Sequence, residues 1–340
     1  MPAYWAPCVG DWLLPWIFEA RNFEQLGRPM ALVAASEAAS ACLLVTAAMF
    51  LLGLPAAVAL LLGVVAMETA PATTLMIVRE YDTRGPLTDA LLALLAINNL
   101  LVLVTFGIVS AALTWGSGGS AYASAHALFW STAGSVALGV LAGLLLELWA
   151  PRVESASETM VLSIGVVLVT VGTARALGVS PLIAALTVGA TIANLSEHTG
   201  SLVDELRRAD PPLYAAFFVL AGAELPIDLL PQIGTAGLAY VAARSLGKTA
   251  GAWAAGRRLR MPATIQRHLG FCLLSSSSLA IGLTIQVRQQ FPDLAERVTA
   301  VVLSAVILFE IIGPILARGA LMRAGEATTD PLVRQESAAL

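Results

Sequence analysis

Val64–Glu80, VVAMETAPATTLMIVRE, and Gly85–Thr105, GPLTDALLALLAINNLLVLVT, are separated only by the short charged turn Tyr81–Arg84. Their reading decides how this chain folds. Each belongs to an apolar segment long enough to span a bilayer. The first is interrupted near its middle by Glu68, Thr69, Pro71, Thr73 and Thr74, and the second carries adjacent amides, Asn98 and Asn99, in a Leu/Ala/Val background. Hydrocarbon offers no water to a freed backbone N–H or C=O, so a helix broken at that depth stands only inside protein or beside a wet cavity. The stretch therefore reads as the ion site of a membrane transporter, with the rest of the chain as its housing.

Composition agrees. Of 340 residues, 58% are hydrophobic and 12% are charged, about half the charge of a soluble domain. The apolar residues lie in long runs, which marks an all-α polytopic membrane protein. A net charge of -4 gives no footprint for nucleic acid. Cys8, Cys42 and Cys272 are far apart and show neither a disulfide framework nor metal-ligand spacing. His126 and His268 fall at span edges and His198 in a loop, so no triad or metal cluster emerges.

Ten spans are predicted, at 30–54, 55–79, 87–113, 122–149, 158–176, 180–196, 212–230, 234–256, 265–288 and 296–318. With this count the arginines in the loops and at the span ends fall on one side, except Arg175, Arg288 and Arg297. The positive-inside rule places the Arg-rich side and both ends of the ten-span unit in the cytoplasm. Arg244 and Lys248, the sole lysine, lie inside the span 234–256.

The triplet 30–113 starts from the cytoplasm and the triplet 234–320 from the opposite side, which is what an inverted repeat requires. The middle member of each is polar at its centre: METAPATT in the first and LLSSSSLAIG, Leu273–Gly282, in the second. Two broken helices at equivalent places point to a midplane site, where half-helix ends bring partial charges of both signs together. Residues 1–29 read as the remnant of an upstream span, 114–233 as linker and panel or dimerisation helices, and 321–340 as a cytoplasmic tail without fixed structure. Within 122–149, AGSVALGVLAG (Ala133–Gly143) suits close helix packing. The polar loop 194–212 reads as a solvated surface helix. The tryptophans at 5, 12, 16, 115, 130, 149 and 253 read as interfacial anchors.

At these motifs the chain resembles the sodium/proton exchangers, the cation:proton antiporter family. Thr69-Ala70-Pro71 stands at the family's threonine-aspartate-proline-like break, and Gly85-Pro86-Leu87-Thr88 at its charged turn. Asn98-Asn99 stands at the Asp-Asp or Asn-Asp pair. Tyr214–Leu230, Arg244–Gly251 (RSLGKTAG) and the serine-rich break also match. The resemblance runs from about Leu14 to Gly325. It implies a core of two triplets with crossed discontinuous helices, elevator-like movement against a dimerising panel, and a carboxylate for which protons and a monovalent cation compete. A basic residue of the later triplet would compensate the site. Two departures stand out. Fewer spans precede the first triplet than in the family. Both acidic positions are amides, which can offer a carbonyl oxygen to a cation but cannot exchange a proton.

Glu68 is thus the expected replacement acid, since a charge at midplane costs roughly 2.5–3.5 kcal/mol and is retained for function or pairing. Thr69, Asn98, Asn99 and Lys248 complete the expected ion site. Arg244, one helical turn from Lys248, Thr73, Ser276, Ser277 and Glu310 are further candidates. Lys248 is expected to pair with Glu68 or Glu310, and Glu310 alternatively with Arg318. Glu37, Glu147 and Glu224 read as interfacial or local structure. Hydroxyls in the breaks can cap opened backbone as well as coordinate a cation.

The function read from these residues is Na⁺ or K⁺/proton antiport by a homodimer in the inner membrane, with the lipid bilayer as surroundings and no cofactor. One rival is a non-transporting sensor or regulatory homologue. A remote one is an intramembrane serine hydrolase pairing Lys248 with Ser275–Ser278.

Overall fold

Pro71 sets the first interruption. A proline disfavours helix at the residue before it and lacks an N–H for the ladder. Ala70 accordingly adopts φ -68°, ψ 113°, and Pro71 opens a new helix. The second interruption contains no proline. It falls in Leu273–Ser276, where serine has a lower helix propensity than the flanking leucines and alanine.

The computed structural model describes residues 20–116, 120–153, 155–195, 234–276 and 278–327. Among these, the α-helices are α1 (Ala20–Leu51), α2 (Ala56–Val65), α3 (Pro71–Glu80), α4 (Pro86–Gly116), α5 (Ala121–Trp149), α6 (Ala156–Ala176), α7 (Pro181–Leu195), α8 (Gly234–Arg258), α9 (Ala263–Cys272), α10 (Ser278–Gln290) and α11 (Pro292–Arg323). The predicted span 55–79 is the broken pair α2–α3, and 265–288 is the broken pair α9–α10. The predicted span 212–230, with Glu224, and most of the loop 194–212 lie outside the described residues. So do Ser277 and the tryptophans at 5, 12 and 16.

Among the described residues, five helical stretches are long and apolar enough to cross a membrane: Arg28–Leu51, Pro86–Gly116, Leu128–Trp149, Ser157–Ala176 and Pro292–Arg323. Each half of a broken helix is too short alone. Two ten-residue halves, as in α2 and α3, together rise about 30 Å, the thickness of the hydrocarbon. α8 has 25 residues but is less apolar, since it carries Arg244 and Lys248. α1 begins ten residues before the predicted span, because the helix continues through Pro29.

The described helices fall into two compact units. One holds α5, α6, α7 and α4 from Gly107. In it α5 packs on α7 through the small-residue face read from the sequence: a Cβ on Gly139 would lie 2.5 Å from the Ala184 carbonyl oxygen, and one on Gly143 2.7 Å from Thr191 Cβ. The Ser180 N–H at the start of α7 donates to Ser135 Oγ at 2.8 Å.

The other unit holds α1 from Leu26, α2, α3, α4 as far as Phe106, and α8 to α11. Each set in it runs long helix, broken helix, long helix. The two breaks touch, the Ala70 N–H donating to the Ser275 carbonyl at 3.1 Å. α1 lies against α8 where Gly247 and Gly251 leave no side chain. A Cβ on Gly247 would sit 2.5 Å from Ala41 Cα, and one on Gly251 2.6 Å from Glu37 Cα. Ser40 Oγ donates to the Gly247 carbonyl and Ser36 Oγ to that of Gly251, at 3.1 Å for the latter. This is the small-residue approach by which membrane helices associate without a hydrophobic driving force.

The segment after Arg323 corrects the expectation of an unstructured tail at its first residues. Gly325 has φ 75°, and the Glu326 N–H returns to the Leu321 carbonyl at 3.1 Å. The Glu326 carboxylate then caps α4, accepting from Leu87 N at 2.8 Å, Thr88 N at 2.7 Å and Thr88 Oγ1 at 2.8 Å. Gly85, at φ 151°, leaves room for it, since a Cβ there would lie 2.5 Å from Glu326 Cδ. A carboxylate at a helix N-terminus satisfies orphan N–H groups and complements the dipole. Glu326→Ala is expected to cost about 1 kcal/mol, as loss of a helix cap does. Thermal unfolding of the purified protein in detergent, followed by tryptophan fluorescence, measures it.

Candidate ion-binding site

The site is built on α8. Arg244 and Lys248 are one turn apart, on the face turned to the two breaks, and both are fully buried. A helix that ends in mid-membrane leaves carbonyls without partners, and these two cations supply the donors. Arg244 Nε donates to the Ala66 carbonyl at 3.2 Å and Nη2 to that of Glu68 at 2.7 Å. From the second break, the Leu274 carbonyl accepts from Nη1 at 2.7 Å and the Ser275 carbonyl from Nη2 at 3.2 Å. The guanidinium also lies 4.2 Å from the centroid of the Phe309 ring, within reach of a cation–π contact.

The Glu68 carboxylate sits 3.6 Å from Arg244 Nη2 and accepts from Ser276 Oγ at 2.9 Å. The structure thus brings Glu68, Ser276 and Arg244 together across the two breaks. Thr73 Oγ1 donates to Glu310 Oε2 at 3.5 Å. Glu310 is not the partner of Arg318, whose guanidinium lies 5.0 Å from the Tyr81 ring centroid.

Lys248 makes a different set of contacts from those expected. Its Nζ donates to the Met67 carbonyl and to Thr69 Oγ1, both at 2.8 Å. Its ion-pair partner is Glu37, with Oε2 at 3.1 Å and Oε1 at 3.5 Å. Asn98 Nδ2 donates to Glu37 Oε1 and to Thr69 Oγ1 at 3.3 Å. Thr69 Oγ1 donates to the Leu273 carbonyl at 3.4 Å. Glu37, Thr69, Asn98 and Asn99 are all buried. Asn98 Oδ1 is buried with no hydrogen-bond partner.

Glu37 corrects the sequence reading, which placed it at an interface. It lies nine residues past Arg28, about 14 Å along the helix and so near half the depth of the hydrocarbon. Two signals in the sequence point to it. It is the sole acid between Arg28 and Glu68, and Ser36 and Ser40 flank it with small side chains. Gly247 and Gly251 bracket Lys248 in the same way, so each charge marks the contact face of its helix.

The formal charges of Glu37 and Glu68 balance those of Arg244 and Lys248. Buried pairs of this kind add little stability over apolar residues of similar volume, yet removing one partner strands a charge. Lys248→Met is therefore expected to destabilise the protein by about 3–5 kcal/mol, and Glu37→Gln/Lys248→Met to recover most of that loss. Unfolding midpoints of the single and double variants check the coupling. Gly247→Val, whose side chain would meet the backbone of Ala41, is expected to yield little folded protein on size-exclusion chromatography in detergent.

Among the described residues no serine–lysine arrangement of a hydrolase forms: the Lys248 donors go to Glu37, Thr69 and the Met67 carbonyl, and Ser276 donates to Glu68.

No curated protein matches the chain by sequence. Two solved structures of the sodium proton antiporter MjNhaP1 from Methanocaldococcus jannaschii match its fold. One, at pH 8, has a TM-score of 0.69 at 16% identity and covers 96% of this chain and 86% of that one. The other, an electron-microscopy map, has a TM-score of 0.70 at 13% identity, with 95% and 85% covered. The fold is the all-helical inverted-repeat antiporter fold with two crossed discontinuous helices. The family model described as "Sodium/hydrogen exchanger, transmembrane" matches residues 14–319. Nearly the whole chain is thus covered, and the protein is a member of the sodium/hydrogen exchanger family, a multi-pass membrane transporter and not an enzyme.

Proposed function

We propose that the protein exchanges a monovalent cation, Na⁺ or K⁺, for protons by elevator-type alternating access. It works as a homodimer in the inner membrane, with the Arg-rich loops and the C-terminus in the cytoplasm. The observation that carries this reading is the oxygen cage around the Lys248 ammonium. Both Glu37 carboxylate oxygens, the Met67 carbonyl and Thr69 Oγ1 surround one positive charge at the crossing of the breaks. A desolvated monovalent cation needs the same kind of donors. Asn98 Oδ1, buried without a partner, is a further acceptor that such an ion would satisfy.

Thr69, Asn98 and Lys248 form the centre of the proposed ion site, with Asn99 beside them. Glu68, Arg244 and Ser276 hold the two breaks in register, and Thr73 and Glu310 lie next to that group. The balanced charges support exchange over one-way passage. A bound cation raises the local charge by one unless a proton leaves, and uncompensated charge is costly at this depth.

The amides at 98 and 99 favour one second reading, a homologue that binds the ion without transporting it. Proteoliposomes containing a pH dye separate the two. An imposed Na⁺ or K⁺ gradient is expected to change internal pH, with a sign that reverses when the gradient is reversed. Lys248→Ala should abolish that response. Cation binding by the wild-type protein without any pH response overturns antiport and supports the sensor.

A further inference from the structure

We infer that Glu37 is the group for which proton and cation compete, so that the exchanged carboxylate of this chain stands on α1 and its amide partner on α4. This rests on the antiport reading above. Helix α4 cannot supply the acid at the site. Asn98 and Asn99 do not titrate, and its sole carboxylate is Asp89, in the first turn. Among the described residues, the acids near the crossing are Glu37, Glu68 and Glu310.

Their partners distinguish them. The counter-ion of Glu68 is Arg244, whose planar guanidinium already serves four carbonyls of the two breaks. A cation that took the Glu68 carboxylate would have to break its hydrogen bond from Ser276, a contact between the two breaks. Glu310 touches Thr73 and is not in the cage. Glu37 faces Lys248, a compact charge on a flexible stem. The ammonium can release the carboxylate and still keep the Met67 carbonyl and Thr69 Oγ1, each at 2.8 Å.

The charged groups acting on Glu37 are Lys248 and, beyond it, Arg244, both on α8. From α4 it meets the neutral Asn98, and from the first break the neutral Thr69 through their shared Lys248 and Asn98. Ser36 and Ser40 on its own helix donate to carbonyls of α8. Glu37 is therefore the acid in this cage whose charge can be exchanged without breaking a backbone contact between the helices. The step balances simply. In the proton-loaded state Glu37 is a neutral carboxyl beside the Lys248 ammonium. It gives its proton to water as the cation takes the carboxylate, one proton for one cation with the local charge unchanged. The reverse occurs on the other side, and the Glu37–Lys248 ion pair is the state that holds neither.

The test measures proton release on adding NaCl or KCl to the purified protein in weakly buffered detergent with a pH indicator, alongside flux in proteoliposomes. Wild type is expected to release protons on cation addition, and Glu37→Gln to release none and to lose flux. Glu37→Asp should keep the release with a displaced pH midpoint, a change that a purely structural acid would not produce. Glu37→Gln/Asn98→Asp, which exchanges carboxylate and amide across their hydrogen bond, should restore release. If Glu37→Gln does not fold, Glu37→Gln/Lys248→Gln removes both charges and should fold without releasing protons. Proton release with the wild-type pH profile in any folded variant lacking an acid at both 37 and 98 overturns the assignment while leaving antiport intact. Wild type with neither release nor flux removes the antiport reading itself.

Discussion

A buried guanidinium joins the two broken helices, and the rest of the core depends on it. Breaking a helix in hydrocarbon exposes carbonyls that nothing in the lipid can satisfy. Arg244 answers for both breaks at once, because its donors are arranged in a rigid fork that reaches Ala66 and Glu68 on one side and Leu274 and Ser275 on the other. The charge this requires is then balanced by Glu68, itself held by Ser276 of the opposite break. A lysine in its place would be a point charge without that fork.

Lys248, one turn away on α8, joins the first break to α1 and leads to the chemistry. Its position depends on Gly247 and Gly251, which allow α1 to approach until Glu37 lies within ion-pair distance. Thr69 is shared: it accepts from Lys248 and Asn98 and donates to the second break. Helices α1, α4 and α8 and both breaks therefore meet at one small polar volume. The two cations divide the work, Arg244 fixing the crossing and Lys248 leaving its carboxylate replaceable.

The amide pair on α4 has a definite place in this arrangement. Asn98 does not titrate, but its Nδ2 fixes Glu37 Oε1, and its Oδ1 is left as an unfilled acceptor. The acid expected on α4 from the family pattern is thus met across the helix interface by an acid on α1. At the other end of α4, Glu326, just past the end of α11, caps the N-terminus, which ties the end of the last core helix to the start of α4.

Much of the architecture was legible in one dimension. The discontinuity at Thr69–Pro71 follows from a proline and hydroxyls in an apolar run, and that at Leu273–Ser276 from serines. Approximate span positions follow because length in a bilayer is fixed by hydrocarbon thickness, although α1 starts ten residues before its predicted limit. The sequence marked Glu68, Thr69, Asn98, Asn99 and Lys248 as site candidates, with Arg244 and Ser276 among the further ones. In the structure Lys248 and Asn98 meet at Thr69, and Arg244 and Ser276 meet at Glu68. The pairing of charges was not legible. Lys248 could have met Glu68 or Glu310 on sequence grounds, and Glu37 looked peripheral, because periodicity tells which face of a helix is polar but not which helix lies against it. The capping role of Glu326 was hidden for the same reason. The sequence by itself determined where the helices break and which side chains carry charge into the membrane. The tertiary structure alone decided which acid meets which base, because that rests on how closely α1 can approach α8 at two glycines.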